Sequence, residues 1–388
     1  MSENKNWRKE TKLMHAGRNP DDYHGVVNPP ICRTSTILYK DYAAYADPNT
    51  KYRYGRVNNP LSCAFEEAIA ELEGGFNAIS ASSGFNAIST VFLSFLKAGD
   101  HVLIVDSCYP PTRFFANAQL RNLGIEVEYY DPMIGAGIKD LIKDNTSVIY
   151  MESAGSATFE VQDVPAIVKE AKTHGIKTVV DNTYSSGILF NPLKHGVDIC
   201  VLSAAKYIGG HSDLNLGVAI AADESLFKTL KSCAVKLGVC AGADDLYLAM
   251  RGLRTVEMRF KQAQTNMLAV LEWFKTRNEV QELFSPTIET ARGHDVWKRD
   301  FSGANGVFGV LFDEQYSSET MGLFVDSLKL FPVGSSWGGY ESLIQPQDMN
   351  AYRSNWIKKG ELLRFQIGFE NPQDLIADLE QGIKNLQK

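Results

Sequence analysis

The 388-residue sequence lacks the spacings that announce metal or disulfide chemistry. It has six cysteines (Cys32, Cys63, Cys108, Cys200, Cys233 and Cys240) but no CxxC pair, so neither a zinc ribbon nor a thioredoxin-type motif is expected. Its seven histidines form no HExxH or HxH pattern, and no metal site is expected. No apolar run is long enough to cross a bilayer. The opening MSENKNWRKE has none of the apolar core of a signal peptide. Free thiols without a leader suit a reducing cytoplasm. Positive charge is in short supply, with 39 Lys and Arg against 46 Asp and Glu, a net −7. That balance argues against nucleic acid or an anionic membrane as partner. Neither GxGxxG nor GxxxxGK[ST] is present, which disfavours a dinucleotide fold and a P-loop. A composition of 44% hydrophobic and 22% charged residues leaves an ordinary globular protein, large enough for an enzyme.

What the chain does have is alternation. Residues 1–59 sustain no period and are rich in Pro, Asn, Tyr and Asp, so they are expected to form an extended arm. Asn59 can cap a helix and Pro60 suits its first turn. Leu61, Phe65, Ala68, Ile69 and Leu72 then mark one apolar face, and Gly74-Gly75 ends it. Short β-like runs follow at 78–81, 101–105, 127–130, 147–151, 178–180, 199–202 and 218–221, with helical stretches between them. This pattern predicts an α/β fold over residues 60–250, a mostly parallel sheet flanked by helices. A single long helical segment is expected over Leu246–Phe274. β-like runs at Val307–Phe312 and Leu362–Ile367, with a terminal amphipathic helix from about Asp374, predict a smaller C-terminal α/β domain over residues 251–388.

In open α/β sheets ligands sit beyond the carboxyl ends of the strands, and four residues or motifs stand there. Ser82-Ser83-Gly84 opens a helix, where free N–H groups can cradle a phosphate. Tyr109 follows the second strand and offers a ring that can stack on a planar ligand. Asp181 ends the fifth strand and could face a cationic ring nitrogen. Lys206 lies among small residues just past the sixth, where a desolvated amine can attack a carbonyl. A capped turn, core filler, a turn carboxylate and a solvated lysine would account for each one separately. Together they describe the needs of pyridoxal 5'-phosphate: an anion cradle, a stacking face, a carboxylate for the pyridine nitrogen and a lysine for the aldehyde.

Over nearly its whole length the chain resembles the Cys/Met-metabolism family of pyridoxal-phosphate enzymes, of fold-type I. The matching segments include Tyr54-Gly55-Arg56, Glu71-Leu72-Glu73-Gly74-Gly75, Asp181-Asn182-Thr183, Lys206-Tyr207 and Arg251-Gly252-Leu253-Arg254-Thr255. Ser336-Trp337-Gly338-Gly339-Tyr340-Glu341-Ser342-Leu343, together with Trp297-Lys298-Arg299-Asp300-Phe301, leans to the bacterial β-lyase branch of that family. The resemblance implies Lys206 as the residue joined to the cofactor, Asp181 at its ring nitrogen and Tyr109 on its ring, with Tyr109 also assisting proton transfer through a lowered phenol pKa. It implies a phosphate held by Gly84, the Phe85 backbone and Ser203, and by Tyr54 and Arg56 reaching into a neighbouring subunit. Arg364 would grip the substrate carboxylate, and Ser336 and Trp337 would line the substrate site.

The implied activity is β-elimination of L-cystathionine in a cytoplasmic homotetramer whose subunits share active sites. γ-Elimination or γ-replacement, alanine racemisation and a non-catalytic binding module are the alternatives. Three positions depart from the pattern. Ala205 replaces a threonine that reaches the phosphate, Ala154 replaces a proline and is expected to loosen its loop, and Phe85 stands where methionine or alanine is usual.

Overall fold

The computed structural model describes residues 7–387. The first helix with an unbroken apolar face, Pro60–Glu73, begins and ends where its sequence dictates. The Asn59 side chain accepts from the Leu61 and Ser62 amides, and Gly74 closes the helix in the left-handed region at φ 78. Seven strands follow and make one sheet: β1 (Asn77–Ala81), β2 (His101–Val105), β3 (Glu126–Tyr130), β4 (Thr146–Glu152), β5 (Lys177–Asp181), β6 (Ile199–Ser203) and β7 (Gly217–Ala221). Each overlaps a β-like run in the sequence.

The strand order is β1-β7-β6-β5-β4-β2-β3. β7 pairs antiparallel with both β1 and β6, and the other pairings are parallel. In β2 and β7 every residue is buried. Successive side chains point to opposite faces, so both faces of the sheet are covered. The carboxyl ends of β1, β2, β4, β5 and β6 therefore open on one edge.

A smaller antiparallel sheet follows: β8 (Val280–Phe284), β9 (Val307–Phe312), β10 (Leu343–Gln347) and β11 (Leu362–Gln366), in the order β10-β11-β9-β8. Its core is aromatic, with Phe274, Phe308, Phe312, Phe324, Phe331 and Phe365 fully buried. The segment expected as one helix over Leu246–Phe274 is two, Ala243–Leu253 and Val256–Phe274. No proline causes the break. Side chains take the carbonyls instead: Arg259 Nη2 donates to Gly252 O at 2.7 Å, and Arg254 Nη2 to Ala16 O at 2.9 Å. The second helix then feeds both cores, Val256–Ala263 the larger and Met267–Phe274 the smaller.

The arm that was expected to be irregular contains the short helices Lys9–His15 and Tyr42–Ala46. Of their residues only Leu13 is buried in this chain. No helix among the described residues is long and apolar enough to cross a membrane.

Candidate active site

β5 ends at Asp181 and β4 at Glu152, and these two residues are paired in register. Both carboxylates are buried. Asp181 Oδ1 accepts from the Thr183 amide at 3.0 Å and its hydroxyl at 2.5 Å, and Oδ2 accepts from the Tyr150 hydroxyl at 3.4 Å. Glu152 Oε2 accepts from the Tyr109 amide at 2.6 Å, and Oε1 from Ser156 Oγ at 2.7 Å. Burial raises both carboxyl pKa values. The bonds from Thr183 and Tyr150 and the charge of Lys206 oppose the shift at Asp181. At Glu152 the neighbouring Asp181 adds to it.

Lys206 lies in the turn after β6. Its Nζ is 2.7 Å from Ser336 Oγ and 5.8 Å from the Trp337 ring centroid. Burial, with the Arg364 charge, brings its pKa down to about 8 against the pull of Asp181. The turn is braced from behind. Tyr207 OH accepts from the Gly306 amide at 2.7 Å, and Arg259 donates to the carbonyls of Tyr207 and Ile208. A Cβ on Gly338 would lie 3.1 Å from the Lys206 carbonyl carbon, so the Ser336–Gly339 loop seats directly on the lysine.

Arg364 lies on β11, opposite Gln345 on β10. Its Nη2 donates to Ser336 O at 2.8 Å and also to Gln345 Oε1. Its Nε is buried without a hydrogen-bond partner. Burial lowers the Arg364 pKa to about 10. Tyr109 is 41% exposed and electrostatically coupled to Glu152, Asp181 and Arg364. In the chain by itself, burial and then the Glu152 and Asp181 carboxylates push its phenol up.

The start of the helix Gly84–Phe95 stands against the end of β6. Ala81, Gly217 and Ser203 lie side by side where β1, β7 and β6 meet. A Cβ on Gly84 would come within 2.7 Å of Ser203 Cβ, so only glycine allows the contact. Ser83 Oγ accepts from the Asn86 amide at 3.1 Å and Ser83 O from the Ala87 amide at 3.1 Å. The Gly84 and Phe85 N–H groups of the first turn have no partner within the helix. A free helix start beside Ser203, a desolvated lysine and a buried carboxylate suit pyridoxal phosphate.

Tyr54 and Arg56 are not part of this cluster within one chain. Tyr54 is exposed and bridges Thr36, while Arg56 donates to Val235 O at 2.9 Å. The loop at Ala154 is anchored on both sides: Ala154 is buried, the Ser156 amide donates to Ser107 O at 2.8 Å, and Gln162 Nε2 to Glu152 O at 2.8 Å. At the opposite edge of the sheet His101, Glu126 and Glu128 come together, a grouping that the sequence spacing did not signal. The Lys143 ammonium lies 2.7 and 2.6 Å from the two carboxylates. Sequence reasoning also missed Glu152, Tyr150 and Thr183. The signal was available for Glu152, which ends a strand just as Asp181 does.

The description "Cys/Met metabolism PLP-dependent enzyme" matches residues 10–384. A cystathionine beta-lyase from Haemophilus influenzae is 37% identical over 97% of this chain and 98% of its own length. Further relatives carrying that name are 34% to 38% identical. An L-alanine/L-glutamate racemase from Wolbachia pipientis is 39% identical, covering 98% of each chain. Among solved structures, a cystathionine gamma synthase from Xanthomonas oryzae pv. oryzae superposes with a TM-score of 0.92 at 29% identity, covering 98% of this chain and 99% of that one.

Proposed function

Because the chain belongs to the Cys/Met metabolism family of PLP-dependent enzymes, we propose that it is a cystathionine β-lyase, converting L-cystathionine and water to homocysteine, pyruvate and ammonia for methionine biosynthesis. The observation that carries this reading is the Lys206–Ser336–Arg364 chain of contacts. It joins the reactive amine to an anion-binding guanidinium through the segment that resembles the β-lyase branch. Full-length relatives with the β-lyase name support it.

When bound, pyridoxal phosphate supplies an electrophilic aldehyde and an electron sink for charge developing at the substrate Cα. Gly84, the Phe85 amide and Ser203 would hold its phosphate, Asp181 would favour the protonated form of its ring nitrogen, and Tyr109 would offer its ring a stacking face. Lys206 takes the Cα proton on Nζ. With a pKa near 8, that nitrogen exchanges protons readily at neutral pH. Arg364 receives the substrate carboxylate, using its unpartnered Nε. Ser336 and Trp337 line the pocket and exclude water from the amine.

The active unit in this reading is a cytoplasmic homotetramer, a dimer of dimers in which Tyr54 and Arg56 reach the neighbour's phosphate. Leu38 is 90% and Tyr42 82% exposed on the arm, and apolar surface of that kind calls for a cover. The total accessible surface of 17,536 Å² also exceeds the roughly 15,000 Å² that area scaling gives a monomer of this mass.

Product analysis with L-cystathionine tests the reaction: pyruvate supports β-cleavage, and 2-oxobutyrate in its place overturns it for a γ-lyase. The racemase relative favours a second reading, alanine racemisation at the same site. D-Alanine formed from L-alanine would reveal it.

A further inference from the structure

We propose that Glu152 is a positioning residue for the cofactor ring, acting by fixing the seat of Tyr109. This inference rests on the cofactor site proposed above. Tyr109 precedes the helix Pro110–Phe115, so its amide has no helical acceptor. That amide donates to Glu152 Oε2 at 2.6 Å, across two strand ends and 43 residues of sequence.

Glu152 is itself held on three sides. Ser156 Oγ donates to Oε1 at 2.7 Å, Gln162 Nε2 donates to the Glu152 carbonyl at 2.8 Å, and β5 lies alongside in register at Asp181. The loops after β2 and β4 are also locked together. The Ser156 amide donates to Ser107 O at 2.8 Å, and a Cβ on Gly155 would lie 2.4 Å from Ser107 Oγ. Tyr109 is left 41% exposed at the open edge while its amide is pinned. One carboxyl group thus ties Tyr109 to the strand beside Asp181.

The reading requires an acceptor at Oε2 and not a negative charge. Glu152→Gln should keep cofactor affinity within about twofold and retain the visible circular dichroism of the bound cofactor. Glu152→Ala should lose about tenfold in affinity and most of that dichroism, because the Tyr109 amide loses its acceptor and the ring is no longer held in place. Glu152→Asp, one methylene short of the amide, should behave like Ala if Ala itself does not load.

A double-mutant cycle with Tyr109→Ala isolates the route: in the Tyr109→Ala background, Glu152→Ala should cost less than about twofold more. Rescue by Asp but not Gln, or an undiminished Ala effect in the Tyr109→Ala background, overturns the proposal. Borohydride trapping of a pyridoxyl adduct on Lys206 in the unmodified holoenzyme tests the cofactor site itself, so its failure is distinguishable from failure of the Glu152 role.

Discussion

Ser336 Oγ stands 2.7 Å from Lys206 Nζ, and the Ser336 carbonyl accepts the Arg364 guanidinium at 2.8 Å. One residue therefore places the cluster's amine and its guanidinium on either side of a single backbone unit. The guanidinium also acts on the amine electrostatically, and with burial it brings Lys206 down to about 8. An amine is nucleophilic only when neutral, and that form grows with pH. The rate at which apoenzyme takes up pyridoxal phosphate should rise up to about tenfold per pH unit below 8 and level off above it. Stopped-flow absorbance from pH 6 to 9.5 measures this. A flat profile would separate Lys206 from the loading step.

Lys206→Ala should leave the fold intact, since the side chain makes one hydrogen bond and no ion pair among the described residues. Pyruvate release from cystathionine should fall to background. Near-normal turnover would remove Lys206 from the chemistry.

Arg364→Ala should act mainly on substrate capture. A charge-assisted pair to a carboxylate is worth about 1.5–3 kcal/mol, which is about 10- to 150-fold in KM. Unchanged KM with reduced kcat would place the substrate carboxylate elsewhere.

Ala205→Thr should tighten cofactor binding by several-fold, because it restores a hydroxyl in the turn that ends beside Ser203. The gain from one added hydrogen bond is about 1 kcal/mol. Cofactor titration of the apoenzyme decides it, and no gain would mean that the phosphate lies out of reach of position 205.

Legibility in the sequence followed the range of the forces involved. The helix Pro60–Glu73 was readable because Asn59, Pro60 and Gly74 act on their own neighbours. The seven strands of the larger sheet were readable because burial on both faces demands continuous apolar runs. β8 and β10 were not: β8 is half-exposed, and β10 carries Pro346 on a strand at the sheet's edge. At the break, Arg254 reaches the carbonyl of Ala16, 238 residues away, which no local window contains. Among the site residues, Lys206, Asp181 and Tyr109 could be found from their places after strands. Glu152 could have been found in the same way, but its pairing with Asp181 is a matter of register, which is a property of the folded sheet.

Glu73 offers a test of the scaffold beneath the site. It is fully buried at the end of the helix Pro60–Glu73, where the helix dipole disfavours a negative charge. Both its oxygens accept from Asn182 Nδ2, at 3.1 and 3.0 Å, and Asn182 adjoins Asp181. Burial pushes the Glu73 carboxyl up to about 8 despite these bonds. The folded pKa lies above the unfolded value, so the folded chain binds the extra proton between the two. The associated stability is complete below about pH 4.3 and is lost as pH rises through 8. Glu73→Gln keeps the shape and one acceptor but cannot ionise. Its Tm relative to the unmodified protein should climb between pH 5 and 8, by on the order of 1–2 °C per pH unit, and then stay level. A Tm difference independent of pH would mean that Glu73 is already charged at pH 5, and that Asn182 holds an ionised carboxylate against the loop bearing Asp181.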